Sequence, residues 1–342
     1  MSRPSLFSCT LPDGRLHLQE GPIDIVAEAF GDREEVRRAY AAARACFAEV
    51  LPGLVSELED LRREAGAADL RGPVARGMQA ACLPHRDVFV TPMAAVAGAV
   101  ADHVLAAMVS AAELSRAYVN DGGDIALYLT PGETLACGLV AEIAASHLNG
   151  PRLNGRAVIP HDMPIRGIAT SGRATLKDGG RSLSLGIADA VTVFARSAAA
   201  ADVAATLIAN AVDLPGHPAI ERRAASDLDP DSDLGDRLVT VSVGVLTRAE
   251  IAAALARGEA AARDMQAAGL IDAAVLFLRG EAVVVGGATS PLSPSGLTRG
   301  SMVEAGRLTP PWIPARARCR SLGRDDSLSG SSQLANQSNV QV

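Results

Sequence analysis

Lysine is nearly missing from this sequence: of 32 basic residues among 342, only Lys177 is a lysine, and the rest are arginine. A G-x-x-x-x-G-K-[ST] phosphate loop is therefore excluded, because its lysine must reach the phosphates. A Schiff-base or general-base lysine has one candidate, and it lies in a Lys177-Asp-Gly-Gly turn. A codon bias toward Arg and Ala accounts for most of the shortage. Aromatic residues make up only 3% of the chain, so the core must rest on Ala, Val, Leu and Ile, which pack closely but bury less area each. The five cysteines stand far apart, with no C-x-x-C, which speaks against both a disulfide framework and a zinc ribbon. The six histidines occur singly, without metal-ligand spacing, so a zinc hydrolase is not expected. Met-Ser-Arg-Pro-Ser at the start lacks the apolar stretch of a signal peptide. The most membrane-like run, Pro92 to Leu114, carries Asp102-His103 at its centre and reads as a buried helix rather than a span. The net charge of −7 argues against a phosphate-backbone binder. The expectation is a cytoplasmic protein with no membrane and no nucleic-acid partner.

The remaining pattern is α+β. Residues 15–30 alternate as a hairpin about Gly21-Pro22. Asp32 reads as an N-cap with Glu35 as its capping-box partner, opening a helical stretch to about Glu64 that is interrupted at Pro52. Met93 to Leu114 is apolar all round, the mark of a central helix. Strand pieces follow at 118–120 and 124–129 around Gly122-Gly123, then at 165–170 and 191–195. An Ala-rich helix covers about 199–212, a strand 238–245 and a helix 250–268. A hairpin about Arg279-Gly280 closes the pattern. Strands that pair locally, with helices between groups of them, predict mixed or antiparallel sheets rather than a βαβ repeat. Residues 1–289 form the expected domain. Residues 290–342 are rich in Ser, Pro, Gly and Arg and carry six Arg against three acidic residues. They are expected to be a disordered, basic tail.

Three segments can carry chemistry. Asp202 and Thr206 sit at i and i+4 on one helix face, a hard-oxygen pair suited to Mg²⁺; the same spacing serves an Asp that caps the helix start beside a Thr that packs. Asn120-Asp-Gly-Gly-Asp124 offers backbone N–H groups at Gly122 and Gly123 to an anion, or is a hairpin turn that needs φ > 0. Thr170-Ser171-Gly172 at a strand end offers hydroxyls and amides to phosphate or ribose, or is an ordinary turn.

Taken in order, five segments resemble the ApbE-like superfamily: Val90-Thr-Pro-Met-Ala-Ala-Val-Ala-Gly-Ala-Val-Ala-Asp, Tyr118-Val-Asn-Asp-Gly-Gly-Asp-Ile, Gly167-Ile-Ala-Thr-Ser-Gly, Val191-Thr-Val-Phe-Ala and Ala201-Asp-Val-Ala-Ala-Thr. Gly21-Pro-Ile-Asp-Ile, Gly186-Ile-Ala-Asp-Ala-Val-Thr-Val and Leu207-Ile-Ala-Asn-Ala-Val-Asp-Leu-Pro-Gly-His-Pro-Ala-Ile resemble more narrowly a branch that carries a number in place of an activity, protein family 0280. The resemblance covers about residues 11–287. It implies the ApbE-like fold and a nucleotide partner such as FAD. Asp202 and Thr206 would hold Mg²⁺ on its pyrophosphate, helped by a backbone carbonyl near Val96. Asn120, Gly122, Gly123, Asp124, Thr170, Ser171 and Gly172 would flank the nucleotide. In that superfamily, transferases attach FMN from FAD to a Thr of partner proteins. Two departures set this chain apart from them. Arg181-Ser-Leu-Ser-Leu-Gly-Ile-Ala-Asp-Ala holds neither the His-rich segment nor the Asp-Pro those enzymes carry there, and Ala97 stands where they often place a lysine. The expectation is therefore Mg²⁺-dependent flavin or nucleotide handling with altered chemistry. A binding protein without catalysis is the first alternative and direct FMN transfer the second. An Ala-rich, aromatic-poor surface also suits a homodimer.

Overall fold

The computed structural model describes residues 6–140, 153–172 and 183–286. Lys177 and the 290–342 tail lie outside them. Nine strands form one sheet in the order β1-β2-β3-β4-β5-β8-β9-β12-β13, and every adjacent pair is antiparallel. The strands are β1 Phe7–Thr10, β2 Leu16–Glu20, β3 Ile23–Gly31, β4 Leu114–Asp121, β5 Asp124–Leu129, β8 Gly167–Ser171, β9 Ala190–Ala195, β12 Ala273–Leu278 and β13 Glu281–Val285. Two further hairpins stand apart, β6 Thr134–Val140 with β7 Leu153–Pro160, and β10 Ile220–Ala224 with β11 Leu238–Val243. The α+β, antiparallel architecture is the one expected.

One face of the sheet carries most of the helices: α1 Arg33–Ser56, α2 Leu58–Leu61, α3 Pro73–Cys82, α4 Val96–Ala111, α5 Ala198–Ala211 and α7 Arg248–Ala267, while the single turn α6 Ala225–Leu228 follows β10 in the outlying hairpin. The β6–β7 hairpin covers part of the other face. Its Cys137, Leu139, Ala157 and Ile159 pack with Leu127, Ile168 and Phe194. Strands between the two layers have no solvent side, so all six residues of β9 and of β12 are buried.

Local chemistry explains most boundaries, and it corrects two expectations. Asp32 is the N-cap of α1, but its carboxylate accepts from the Glu34 N–H, and Glu35 instead accepts from the Glu113 N–H at 2.8 Å. The capping box is not formed, because Glu35 joins the helix to the head of β4. Nor does Pro52 interrupt α1, which runs on to Ser56; buried Phe47, Val50 and Leu54 hold that turn to the core across the missing hydrogen bond. The apolar run yields a 3₁₀ turn, Pro92–Ala95, and then α4, which stops at Ala111 so that Leu114 can open β4. By length and composition, Pro92–Ala111 could cross a membrane. Here it packs against α1, α3, α5 and the sheet.

Two glycines set how closely the layers meet. A Cβ on Gly98 of α4 would stand 2.3 Å from the Ala198 carbonyl oxygen, and one on Gly167 of β8 would stand 2.0 Å from the Ser197 carbonyl group. The start of α5 is thus wedged, backbone to backbone, between α4 and β8.

Candidate functional site

The β4–β5 turn, the end of β8 and α5 bring the three segments together. Gly122 and Gly123 adopt φ of +63° and +118°, conformations that need glycine, and the Gly123 N–H donates to Asn120 Oδ1 at 2.8 Å. Successive strand residues alternate faces, and this divides the group. Asp121 pairs in register with Ile25 and with Asp124, so both carboxylates lie on the helix face, toward Asp202 of α5. Asn120 points to the opposite face. Thr170 does too: its hydroxyl is 2.9 Å from that of Thr192, in the layer packed by the β6–β7 hairpin. The Thr170 N–H crosses back to Asp124 Oδ1 at 3.2 Å, tying the two strands at the site. Ser171 alternates to the helix face and is half-buried. Gly172 is buried, and a Cβ there would stand 2.5 Å from the Asp189 carbonyl oxygen.

Asp202 does not cap its own helix. Ser197 does so, accepting from the Ala200 N–H at 3.2 Å, and Asp102 of α4 accepts from the next donors, Ala198 N–H at 3.0 Å and Ala199 N–H at 2.9 Å. In return, Asp202 of α5 accepts from the Gly98 N–H at 3.0 Å and from the Ala97 N–H at the start of α4, where Ala95 supplies no side-chain cap. Each helix thus provides the N-terminal carboxylate of the other. Thr206 lies one turn beyond Asp202, half-buried. The partners of Asp102 are 96 and 97 residues away, and nothing local in the sequence announces them.

The carboxylates lie in a poorly solvated place. Burial pushes Asp121 up to about 8, and the charges of Asp202 and Asp24 add to the shift. Asp124 is likewise pushed to about 8 by burial and then by Asp121. Asp202 is driven well above the usual carboxylate range by burial and then by Asp124, against the pull of the Gly98 and Ala97 amides. By accessible area Asp124 and Asp202 are only half-buried, so each keeps an edge toward solvent. Among the described residues, no cationic side chain offsets Asp121 or Asp124. Asp121 is the residue that sequence reasoning missed; its signal was a second acid in the turn two residues after Val119, on the same strand face. Among the described residues, no three His, Cys, Asp or Glu side chains close around a point where a metal ion could sit by themselves.

A sequence model of the family described as "AbpE bacteria" matches residues 8–284. The chain belongs to this family. It is also similar to the UPF0280 proteins of Methanosphaerula palustris (38% identical over 140 residues, 41% of this chain and 54% of that one) and Methanothrix thermoacetophila (39% over 123 residues, 36% and 46%). The UPF0280 protein of Methanocaldococcus jannaschii is 39% identical over 122 residues, 36% of this chain and 45% of that one. The chain spans about half the length of these curated relatives. Among solved structures it is similar to the apo form of the flavinyl transferase ApbE from Pseudomonas stutzeri (TM-score 0.35, 12% identity, 83% of this chain and 95% of that one). The ApbE protein from Thermotoga maritima gives a TM-score of 0.35 at 12% identity, over 83% and 98%. Likenesses this distant carry no argument about the site of this member.

Proposed function

We propose that this AbpE-family member binds Mg²⁺ together with a nucleotide pyrophosphate, FAD being the first candidate, where the β4–β5 turn meets α5. The observation that carries the reading is the set of three carboxylates, Asp121, Asp124 and Asp202, that burden one another with no described cationic side chain between them. Hard oxygen donors of this kind suit Mg²⁺, which keeps several waters or phosphate oxygens instead of a full protein cage. That agrees with a cluster too open to enclose an ion unaided. Asp202, held by two amides, and Thr206, one turn on, would contribute from α5, and Asp124, anchored on the Thr170 N–H, from the sheet. When bound, the ion would neutralise pyrophosphate charge. The chain's own part is to orient: the left-handed Gly122-Gly123 backbone lets a ligand approach the turn closely, and Thr170, Ser171 and Gly172 border the strand end. With Ala97 in place of a lysine and no His-rich segment, the chemistry differs from FMN transfer to protein.

Calorimetry with FAD, with and without Mg²⁺, tests this on wild type, Asp124→Asn and Asp202→Asn. Both substitutions keep one oxygen to accept from the backbone, the Thr170 N–H for Asp124 and the Gly98 N–H for Asp202. Mg²⁺-dependent binding that weakens at least tenfold in both is expected. Metal-independent binding, equal in all three proteins, or no binding by wild type, would sink the reading.

A second reading has its own observation. Asp202 already spends its carboxylate on the start of α4, the behaviour of a scaffold residue in a protein without catalysis. On that reading Asp202→Asn lowers stability and leaves ligand affinity untouched.

A further inference from the structure

A cavity of about 480 Å³ lies between α3, the Leu83–His85 turn, α4 and the first turn of α5. None of Asp121, Asp124 and Asp202 lines it, so it is separate from the site above. Its volume falls within the range of small-molecule pockets. Most of the wall is small and apolar, with Ala81, Pro84, Ala99 and Leu270 among its residues. Among the described residues, three ionisable groups line it, Asp102, His85 and His103, and no Arg or Lys does. His85 is only 8% exposed, and its ring makes no hydrogen bond or ion pair with any described residue. Its nitrogens are not among the fully buried atoms that lack a partner, so they stay open to solvent and to a ligand in the cavity.

The donors at the start of α5 are already taken, Ala198 and Ala199 by Asp102 and Ala200 by Ser197, so the helix end has nothing left for an anion. Asp102 faces the opposite need. Each of its oxygens holds one amide, which leaves further lone pairs, and no described cationic side chain lines the cavity beside it. Burial disfavours the charged form of both imidazoles, which leaves each ring with an acceptor nitrogen, and it likewise pushes the Asp102 carboxyl up against the pull of the Ala199 and Ala198 amides, a cost that a cation beside it would offset.

We propose that this cavity binds a small organic cation, a primary amine on a compact apolar body, with Asp102 taking the ammonium and His85 accepting one of its hydrogen bonds. The walls would shed water around the body, and a carboxylate with an adjacent acceptor would select the charged head over a neutral one.

The probe is benzylamine, with benzyl alcohol as its neutral counterpart, titrated into the full chain and followed by ligand-observed NMR and calorimetry. The expected result is saturable, one-to-one benzylamine binding at least tenfold tighter than benzyl alcohol. Asp102→Asn should erase that preference, and His85→Phe should weaken the amine at least tenfold. Ala80→Trp, at the exposed rim on α3, should block both probes. If Asp102→Asn does not fold, His85→Phe and Ala80→Trp carry the comparison. Equal affinity for amine and alcohol, absence of saturation, or wild-type binding by Ala80→Trp would overturn the proposal.

Discussion

Raising the pH should unfold this protein from its acidic cluster outward. A carboxyl whose folded value lies above its unfolded one binds a proton more readily when folded, so stability falls as pH climbs through the folded value. Asp121 and Asp124 stand at about 8, against an ordinary 3.8. With those two values, each group alone takes away on the order of 3 kcal/mol between pH 6 and pH 9, and because the charge of Asp121 is part of what raises Asp124, the two losses are not independent. Urea denaturation across that range reads the loss directly. Asp121→Asn mimics the protonated side chain: little change is expected at pH 6, and at least half the alkaline loss should vanish, because the Asp121 charge also helps to raise Asp124. Millimolar Mg²⁺ should recover stability at pH 9 in wild type, since a bound cation takes the place of the missing protons. A profile that falls by less than about 1 kcal/mol from pH 6 to 9, or one equally steep in Asp121→Asn, would refute the reasoning.

Two further substitutions probe the helix crossing. Gly98→Ala places a methyl 2.3 Å from a backbone carbonyl oxygen that cannot swing aside, and should cost about 3 kcal/mol or more in urea melts. Asp102→Ala strands the buried Ala198 and Ala199 amides and should cost about 2–4 kcal/mol, whereas Asp102→Asn keeps one acceptor and should cost about 1 kcal/mol. Equal losses for Ala and Asn, measured by thermal melting, would show that the capping bonds are not what Asp102 contributes.

How far the sequence disclosed this depended on the range of the interaction. The Gly21 and Gly122-Gly123 hairpins were legible because the turn residues and the alternation beside them are local. So was α4, whose apolar composition announced a central place. The β6–β7 hairpin and α3 escaped notice. Thr134–Val140 turns Leu135, Cys137 and Leu139 inward in alternation, but the outward positions are Thr134, Ala136 and Gly138, too weakly polar to mark a solvent face, and α3 is short and Ala-rich. At the site, the Asp202–Thr206 spacing and the Gly-Gly turn were visible. The division of Asn120 and Thr170 from Asp121 and Asp202 was also implicit in strand alternation, once the register was known. The exchange of caps between α4 and α5 was not, for it joins residues about a hundred positions apart.

That exchange makes the two helix starts a single unit of opening. The Ala97 and Gly98 amides are protected by a side chain on α5, and the Ala198 and Ala199 amides by a side chain on α4. Neither pair can be released while the other helix stays docked. Hydrogen exchange at all four amides should report one common opening free energy, and an Asp102→Asn substitution should hasten exchange at Gly98 as much as at Ala199. In this fold, fraying at one helix start is communicated directly to the other.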